Sequence, residues 1–255
     1  VENYLCKTNT SSSTAFRGFG GNQGMMIIEN IMDNVAKYLK KDPAEVRKIN
    51  FYQKDTKNIT HYGMKIQDNV INEIFNGLIK SSNYKKRRLN IKKFNLNSKY
   101  LKKGLAITPV KFGISFTTTH LNQAGALVHI YHADGSVHVS TGAIEMGQGT
   151  YTKIGQLVAN ELGLNFNKVK VSSTRTDKVP NTSASAASST TDLNGAAAIN
   201  AVNKIKQNLA LFVKKKYKLK SNRVIYKNGI VKFKGKIFSF TSLIKEAYLN
   251  RVSLS

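Results

Sequence analysis

The chain has 255 residues, 41% of them hydrophobic and 9% aromatic, which excludes a disordered tail and leaves room for one domain or two small ones. One cysteine, Cys6, excludes an internal disulfide framework and any zinc or iron–sulfur site ligated by this chain's cysteines alone, and it fits a reducing cytoplasm. The net charge of +26 is the strongest compositional signal, while no apolar run approaches the roughly 18 residues that would span a bilayer.

The first twenty residues carry no apolar core with a small-residue cleavage site, and a start at Val1 reads as a processed chain or a fragment. Basic residues cluster at Lys85–Lys86–Arg87–Arg88, Lys92–Lys93, Lys102–Lys103 and Lys214–Lys215–Lys216. Such clusters attract acidic surfaces or nucleic acid. No zinc finger or RNP-type aromatic pattern accompanies them, so the expectation is a solvated lysine surface, with no specific nucleic-acid partner and no membrane partner.

After the segment Thr14–Gly24, apolar residues at Met25, Ile28, Met32, Val35 and Leu39 predict an amphipathic helix. Asp42, Pro43 and Glu45 then form a helix start, as cap, first helical residue and capping-box partner. The basic stretch Ser81–Lys103 is predicted helical in its first half. From Ala106 the pattern turns extended, through Ala106–Pro109 and Lys111–Thr117, with Phe116 on a strand. Asp134–Gly135 between Ala126–Tyr131 and Ser136–Ser140 predicts a hairpin. Thr150–Leu162 reads as a helix ending at Gly163, and Val169 and Val171 as a strand.

The run Thr174–Asn194 is rich in Ser, Thr and Ala and has the composition of a linker. A helix from about Gly195 to Val213, a hairpin at Asn228–Gly229 and a short helix near Leu243–Leu249 complete the chain. The fold class is α+β. His129, His132 and His138 lie in the first hairpin and read as strand-surface residues rather than metal ligands.

Three segments offer chemistry. Thr14–Gly24 places clustered glycines, Arg17 and Phe19 before a helix, an arrangement suited to an anion and a planar ligand, or to a plain helix-entry turn. It is neither a Walker A loop nor a dinucleotide fingerprint, since Gln23 stands where a third glycine belongs. Gly142–Thr150 repeats the glycine-rich entry, and the Ser/Thr run ending Asp192-Leu193-Asn194-Gly195 offers hydroxyls ahead of another helix. Together they suit a large polar cofactor with a phosphate.

The string Thr-Ala-Phe-Arg-Gly-Phe-Gly-Gly-Asn-Gln-Gly at 14–24 resembles the molybdenum hydroxylases, the family of xanthine dehydrogenases and aldehyde oxidases. So do Lys111–Thr117, Glu145–Gly149 and Pro180–Ser183 through Gly195, while Leu121–His129 looks like the large subunits of bacterial xanthine dehydrogenases. The resemblance runs in order over the whole chain. It implies an incomplete, internal piece of the molybdenum-cofactor-binding region, with residues 1–104 carrying a cofactor loop and helices, and 105–255 an α+β cofactor and substrate region.

The resemblance further implies that Arg17 and the Ala187 backbone lie beside molybdenum. It assigns Met146, Gln148, Ser188, Thr190 and Thr191 to molybdopterin, although Thr190 is serine in many relatives. Phe19 and Phe116 match the rings that hold a purine, and Thr117 a substrate-contacting hydroxyl; without the resemblance Phe116 reads as core packing. Glu145 is expected to shape its loop rather than abstract a proton. The implied reaction is purine hydroxylation, hypoxanthine to xanthine to urate, with the base glutamate expected beyond Ser255. FAD and 2Fe–2S clusters are expected on other domains or subunits, in a dimeric assembly. Alternatives are an aldehyde oxidase-like enzyme, or a decayed basic binding protein on the same scaffold.

Overall fold

The computed structural model describes residues 4–11, 18–179, 181–221 and 223–255. The chain divides into two compact units, Val1–Phe112 and Gly113–Ser255.

The first unit is helical: α1 (Gly21–Tyr38), α2 (Pro43–Ile49), α3 (Ile71–Ser81) and α4 (Tyr84–Asn97). The helix α1 starts earlier than its apolar spacing predicts, because the Gly21 and Gly24 N–H groups already donate to the carbonyls of Gly18 and Gly20. Glycine is needed at 21, where a Cβ would stand 2.8 Å from the Phe112 ring. Ile28, Val35 and Leu39, expected on the buried face, are exposed in the described chain. The inner face instead carries Met25, Glu29, Met32 and Ala36.

A buried charge is the reason. Arg47 of α2 is 3% exposed and donates from Nε to Glu29 Oε2 at 2.5 Å and from Nη2 to Asp33 Oδ1 at 2.8 Å. Burial alone would lower the Arg47 pKa, but the two carboxylates more than offset it and the net shift is upward. Its Nη1 is buried without a partner. The second organiser is Asp42, which caps α2 by accepting from the Ala44 N–H at 2.8 Å. The same carboxylate accepts from the Tyr84 hydroxyl at 2.9 Å and from Arg88 Nε at 3.2 Å, tying α2 to α4. Between these helices lies a small core of Ala44, Phe75, Tyr84 and Ile107. In the basic stretch 81–103, α4 runs from Tyr84 to Asn97, so the helix extends past the first half that the sequence predicts.

Among its described residues, the second unit holds two three-stranded sheets and three α-helices. In the first sheet, β1 (Ala126–Ile130) pairs antiparallel with β2 (Val137–Thr141), and β2 pairs parallel with β3 (Val169–Val171). The predicted Asp134–Gly135 turn joins β1 to β2: Asp134 Oδ1 accepts from both the N–H and the hydroxyl of Ser136, and Gly135 has φ 69°. His129 faces His138 across that ladder. Burial and the nearby Lys170 hold His138 below the usual histidine range.

The helix α5 (Thr150–Leu162) links β2 to β3 and ends at Gly163, whose φ of 62° gives the left-handed stop predicted from sequence. The helix α6 (Thr190–Lys216) runs 27 residues, about 40 Å at 1.5 Å per residue. It buries Asn194, Ala198, Val202, Ile205, Leu209 and Val213, a stripe at three- and four-residue spacing that packs on α5 and β1. The hairpin β4 (Ile225–Lys227) and β5 (Ile230–Phe233), extended by β6 (Lys236–Ser239), covers part of the same core with α7 (Phe240–Leu249).

Two stability predictions follow from this packing. Removing one partner of a buried ion pair costs about 3–5 kcal/mol, whereas replacing the buried charge by an apolar side chain of similar volume can be neutral. Glu29→Ala should therefore accelerate amide exchange in α1 and α2 more than Arg47→Met does; the reverse order would show that the charge itself stabilises the pair.

Burial, followed by the hydrogen bond and charge of Asp42, pushes the Tyr84 pKa up to about 12. Burial and Glu246 likewise push Tyr217 up to about 12. Raised folded-state values mean that this stabilisation is complete below the ordinary tyrosine pKa of about 10 and is lost as pH rises through about 12. Absorbance titration should leave a late-ionising group of tyrosines that shrinks by one in each of Tyr84→Phe and Tyr217→Phe. A single transition near pH 10 for all eleven tyrosines would contradict it.

Candidate functional site

Three irregular segments meet in the second unit. The first, Gly113–Gln123, does not form the strand its β-branched residues predict. Its donors are used elsewhere: Ser115, at φ 69°, gives its N–H to the Ala187 carbonyl at 2.8 Å. The Phe116 N–H goes to Asn122 Oδ1 at 2.9 Å, and Asn122 Nδ2 returns a bond to the Phe116 carbonyl at 2.7 Å. A strand ladder therefore cannot form there. Phe116 is half-buried and Thr117 exposed.

The second segment, Gly142–Gly149, follows β2. Glu145 Oε1 accepts from the N–H groups of Gly147 at 2.8 Å and Gly149 at 2.9 Å, and Oε2 accepts from Tyr151 at 3.1 Å. The N–H groups of Gly149 and Tyr151 hold the Glu145 carboxyl below the usual range, with help from Gly147. An ionised group so engaged is a clamp at the start of α5 and a poor proton acceptor. Gln148 closes the rest of the loop, accepting from the Met146 N–H at 2.6 Å and donating to the Ile144 carbonyl at 2.8 Å. The N–H groups of Met146, Gly147, Gly149 and Tyr151 are thus taken up within the loop and the helix start. The Met146 side chain remains 61% exposed.

The third segment, 182–189, has linker composition but is firmly anchored. The Ser183 N–H donates to the Gln123 carbonyl at 3.0 Å, the Gln123 N–H donates to Ser183 Oγ at 3.2 Å, and the Thr182 hydroxyl reaches the same carbonyl at 3.3 Å. The Ile144 N–H donates to Ser185 Oγ at 2.7 Å. Gly142 permits this approach, since a Cβ there would meet Thr182 Cγ2 at 2.2 Å. Ala187 and Ser188 take φ values of 52° and 55°, consecutive left-handed residues of a kind that costs about 1–2 kcal/mol each.

The run ends in helix, not linker, because Thr190–Asn194 forms the opening of α6. No side chain caps that helix; Ser189 Oγ turns back to the Ala186 carbonyl instead. Its dipole therefore faces the loop cluster with half-buried Thr190 and Thr191 at its first two positions.

Beneath the loops runs a polar lattice that sequence reasoning missed. The buried Thr141 hydroxyl donates to Asn194 Oδ1 at 3.0 Å, and Asn194 Nδ2 donates to the Thr190 carbonyl at 3.0 Å. The Thr174 hydroxyl bonds the carbonyls of Thr141 and Ala143 and approaches Tyr151 Oη. Asn194 carries a readable signal, a polar residue on the otherwise apolar stripe of α6. Asn122, Gln123 and Thr141 give none.

Phe116, Thr117, Met146, Gln148, Ala187, Ser188, Thr190 and Thr191 thus lie on three joined loops and the helix start beside them. Phe19 lies in the first unit at the entry to α1, 66% exposed, with φ 50° between Gly18 at 99° and Gly20 at 84°. Arg17 lies outside the described residues, as does Pro180. The donor set in the second unit, hydroxyls and a carboxamide around an uncapped helix start, fits an anionic cofactor rich in hydrogen-bond acceptors.

Residues 78–255 match a molybdopterin cofactor-binding domain family, and residues 1–51 match a second family of the same description. The chain is 44% identical over all 255 residues to a xanthine dehydrogenase of Calliphora vicina and 43% identical over the same length to a xanthine dehydrogenase/oxidase of Gallus gallus. It spans 17% of the length of each of these relatives. Both are animal proteins, so the likeness of residues 121–129 to specifically bacterial enzymes is not confirmed. Among solved structures, quinoline 2-oxidoreductase from Pseudomonas putida 86 superposes with a TM-score of 0.79 at 22% identity, covering 92% of this chain and 31% of that one. A reconstituted CO dehydrogenase from Oligotropha carboxidovorans gives 0.68 at 20% identity, covering 90% and 30%. These structural likenesses establish the α+β fold. With the sequence match extending through all three loops and α6, the chain belongs to the molybdopterin cofactor-binding domain family.

Proposed function

We propose that this chain forms the central part of a cytoplasmic molybdenum hydroxylase acting on purines, converting hypoxanthine to xanthine and xanthine to urate. The observation that carries this reading is full-length identity above 40% to proteins named xanthine dehydrogenase, with every motif of the loop cluster inside the matched region. Residues 1–104 contribute a cofactor loop and helices, and 105–255 contribute the loops around the cofactor and substrate. FAD and 2Fe–2S clusters on other domains or subunits, in a dimer, complete the electron path.

In this reading Met146, Gln148, Ser188, Thr190 and Thr191 hold the molybdopterin. When bound, the molybdenum centre supplies oxygen transfer and accepts the electrons. The left-handed Ala187–Ser188 turn would offer main chain, without a bulky side chain, to the metal, and Arg17 is assigned to the same centre. Phe19 and Phe116 are each assigned to contact the purine ring, and Thr117 to offer a hydroxyl to its periphery. Glu145 keeps its proton off and its oxygens occupied, so it holds the loop and does not serve as the base.

Two outcomes test the reading. The chain by itself should show no molybdenum-dependent urate formation above a metal-free blank, because the carboxylate of its cofactor loops is already engaged. A chimera in which the chain replaces the matched segment of the Gallus gallus relative should oxidise hypoxanthine. In it, Phe19→Ala and Phe116→Ala should each reduce kcat/KM by about 1–3 kcal/mol of lost contact and orientation. Unchanged kinetics in both variants would make the rings ordinary packing.

A further inference from the structure

We infer that Asn122 is a positioning residue for Phe116, fixing the direction from which that ring meets a substrate. The inference rests on reading Phe116 as a substrate ring, and it adds a residue outside the cofactor and substrate sets. The Asn122 carboxamide bonds both main-chain groups of one residue, accepting from the Phe116 N–H at 2.9 Å and donating to the Phe116 carbonyl at 2.7 Å. A primary amide carries donor and acceptor side by side in one plane, as a neighbouring β-strand does. Phe116 therefore receives strand-like pairing in a segment with no strand beside it.

The consequence is geometric. With the peptide groups on both sides of its Cα held, Phe116 loses its φ and ψ freedom, and only the side-chain torsions remain to orient the ring. Residues 117–121 become a closed loop pinned at its base, tightened by a 3-10 turn at Thr119–Leu121. The Leu121 N–H donates to the Thr118 carbonyl at 3.0 Å, and the Asn122 N–H to the Thr119 carbonyl at 2.9 Å. The anchor is itself anchored. The next residue, Gln123, is bound through its own N–H and carbonyl to Ser183. One residue before the ring, the Ser115 N–H is held by the Ala187 carbonyl. The ring is thereby referenced to the loop that carries Ala187 and Ser188. A carboxamide at 122 is the only side chain of this size that supplies both bonds: aspartate lacks the donor and leucine lacks both.

The test uses the chimera, with kinetics expressed per bound molybdenum so that loss of cofactor does not count as loss of positioning. Asn122→Asp keeps the size and one acceptor but sets a carboxylate oxygen against the Phe116 carbonyl. It should lower kcat/KM for hypoxanthine about ten- to a hundredfold, mainly through kcat. Placed in a Phe116→Ala background, it should add less than about a twofold loss, because two residues acting through one ring are not additive. Independently of turnover, Asn122→Ala in the chain should speed exchange of the Phe116 amide about tenfold or more. An equal loss from Asn122→Asp in both backgrounds would overturn the inference, assigning Asn122 a role apart from the ring. A loss on Phe116→Ala with none on Asn122→Asp would overturn it while leaving the substrate reading intact. No effect of Phe116→Ala would remove both.

Discussion

A Cβ at position 142 would stand 2.2 Å from Thr182 Cγ2 and 2.7 Å from Thr182 Cβ, distances that no packing tolerates. Glycine there lets the loop after β2 lie against the Ser/Thr-rich run, and the remaining site contacts follow from that approach. Ser185 can then accept the Ile144 N–H, and the segment's far side can pair with Gln123 and Ser115. Below the contact, Thr141 and Asn194 join the end of β2 to the opening of α6. The loops are irregular in backbone yet tied to one another by these hydrogen bonds, as a rigid cradle requires. The strain at Ala187 and Ser188 persists because their neighbours on both sides are held.

The charge imbalance gives the acidic residues a distinct part. With 14 acidic against 40 basic side chains, several of the carboxylates are spent inside the structure. Asp42 and Glu145 organise helix starts, Glu29 and Asp33 hold the buried Arg47, and Glu161 and Glu246 bind Lys206 and Lys216. Much of the positive surplus is then left on the surface, on α4 and the end of α6 among other places. Scattered surface lysines attract anions weakly, and salt screens that attraction over about 10 Å.

Local chemistry made part of the fold readable in sequence. Asp42 and Pro43 mark a helix start, Asp134–Gly135 and Asn228–Gly229 mark hairpins, and Gly163 marks a helix end, each through a preference internal to a few residues. Where long-range partners decide, the same reasoning fails. Lys111–Thr117 has strand composition, but Asn122 and Ala187 take its hydrogen bonds. The run 174–194 has linker composition, but its hydroxyls are anchors and its last turn begins α6. The apolar stripe of α1 suggested a buried face, yet Glu29, paired with the buried Arg47, lies on the inner face while Ile28, Val35 and Leu39 are exposed. Motif resemblance brought out the residues at the surface of the loop cluster, while the carboxamides and hydroxyls that fix those loops stayed hidden, since their partners lie many residues away.

In the proposed function, the loops that meet at Gly142 form the molybdopterin site. Pterin released per chain, measured by fluorescence on the chimera, tests this directly when Gly142→Ala is compared with Gly77→Ala. At Gly77, on α3, an added Cβ would meet nothing within 4 Å. Overpacking at 142 costs about 1–3 kcal/mol, enough for about a tenfold loss of pterin at subsaturating supply, with helix content unchanged. The control should retain the wild-type content. Full pterin content in Gly142→Ala, with its loops shown to be displaced, would contradict the claim that this junction forms the cradle.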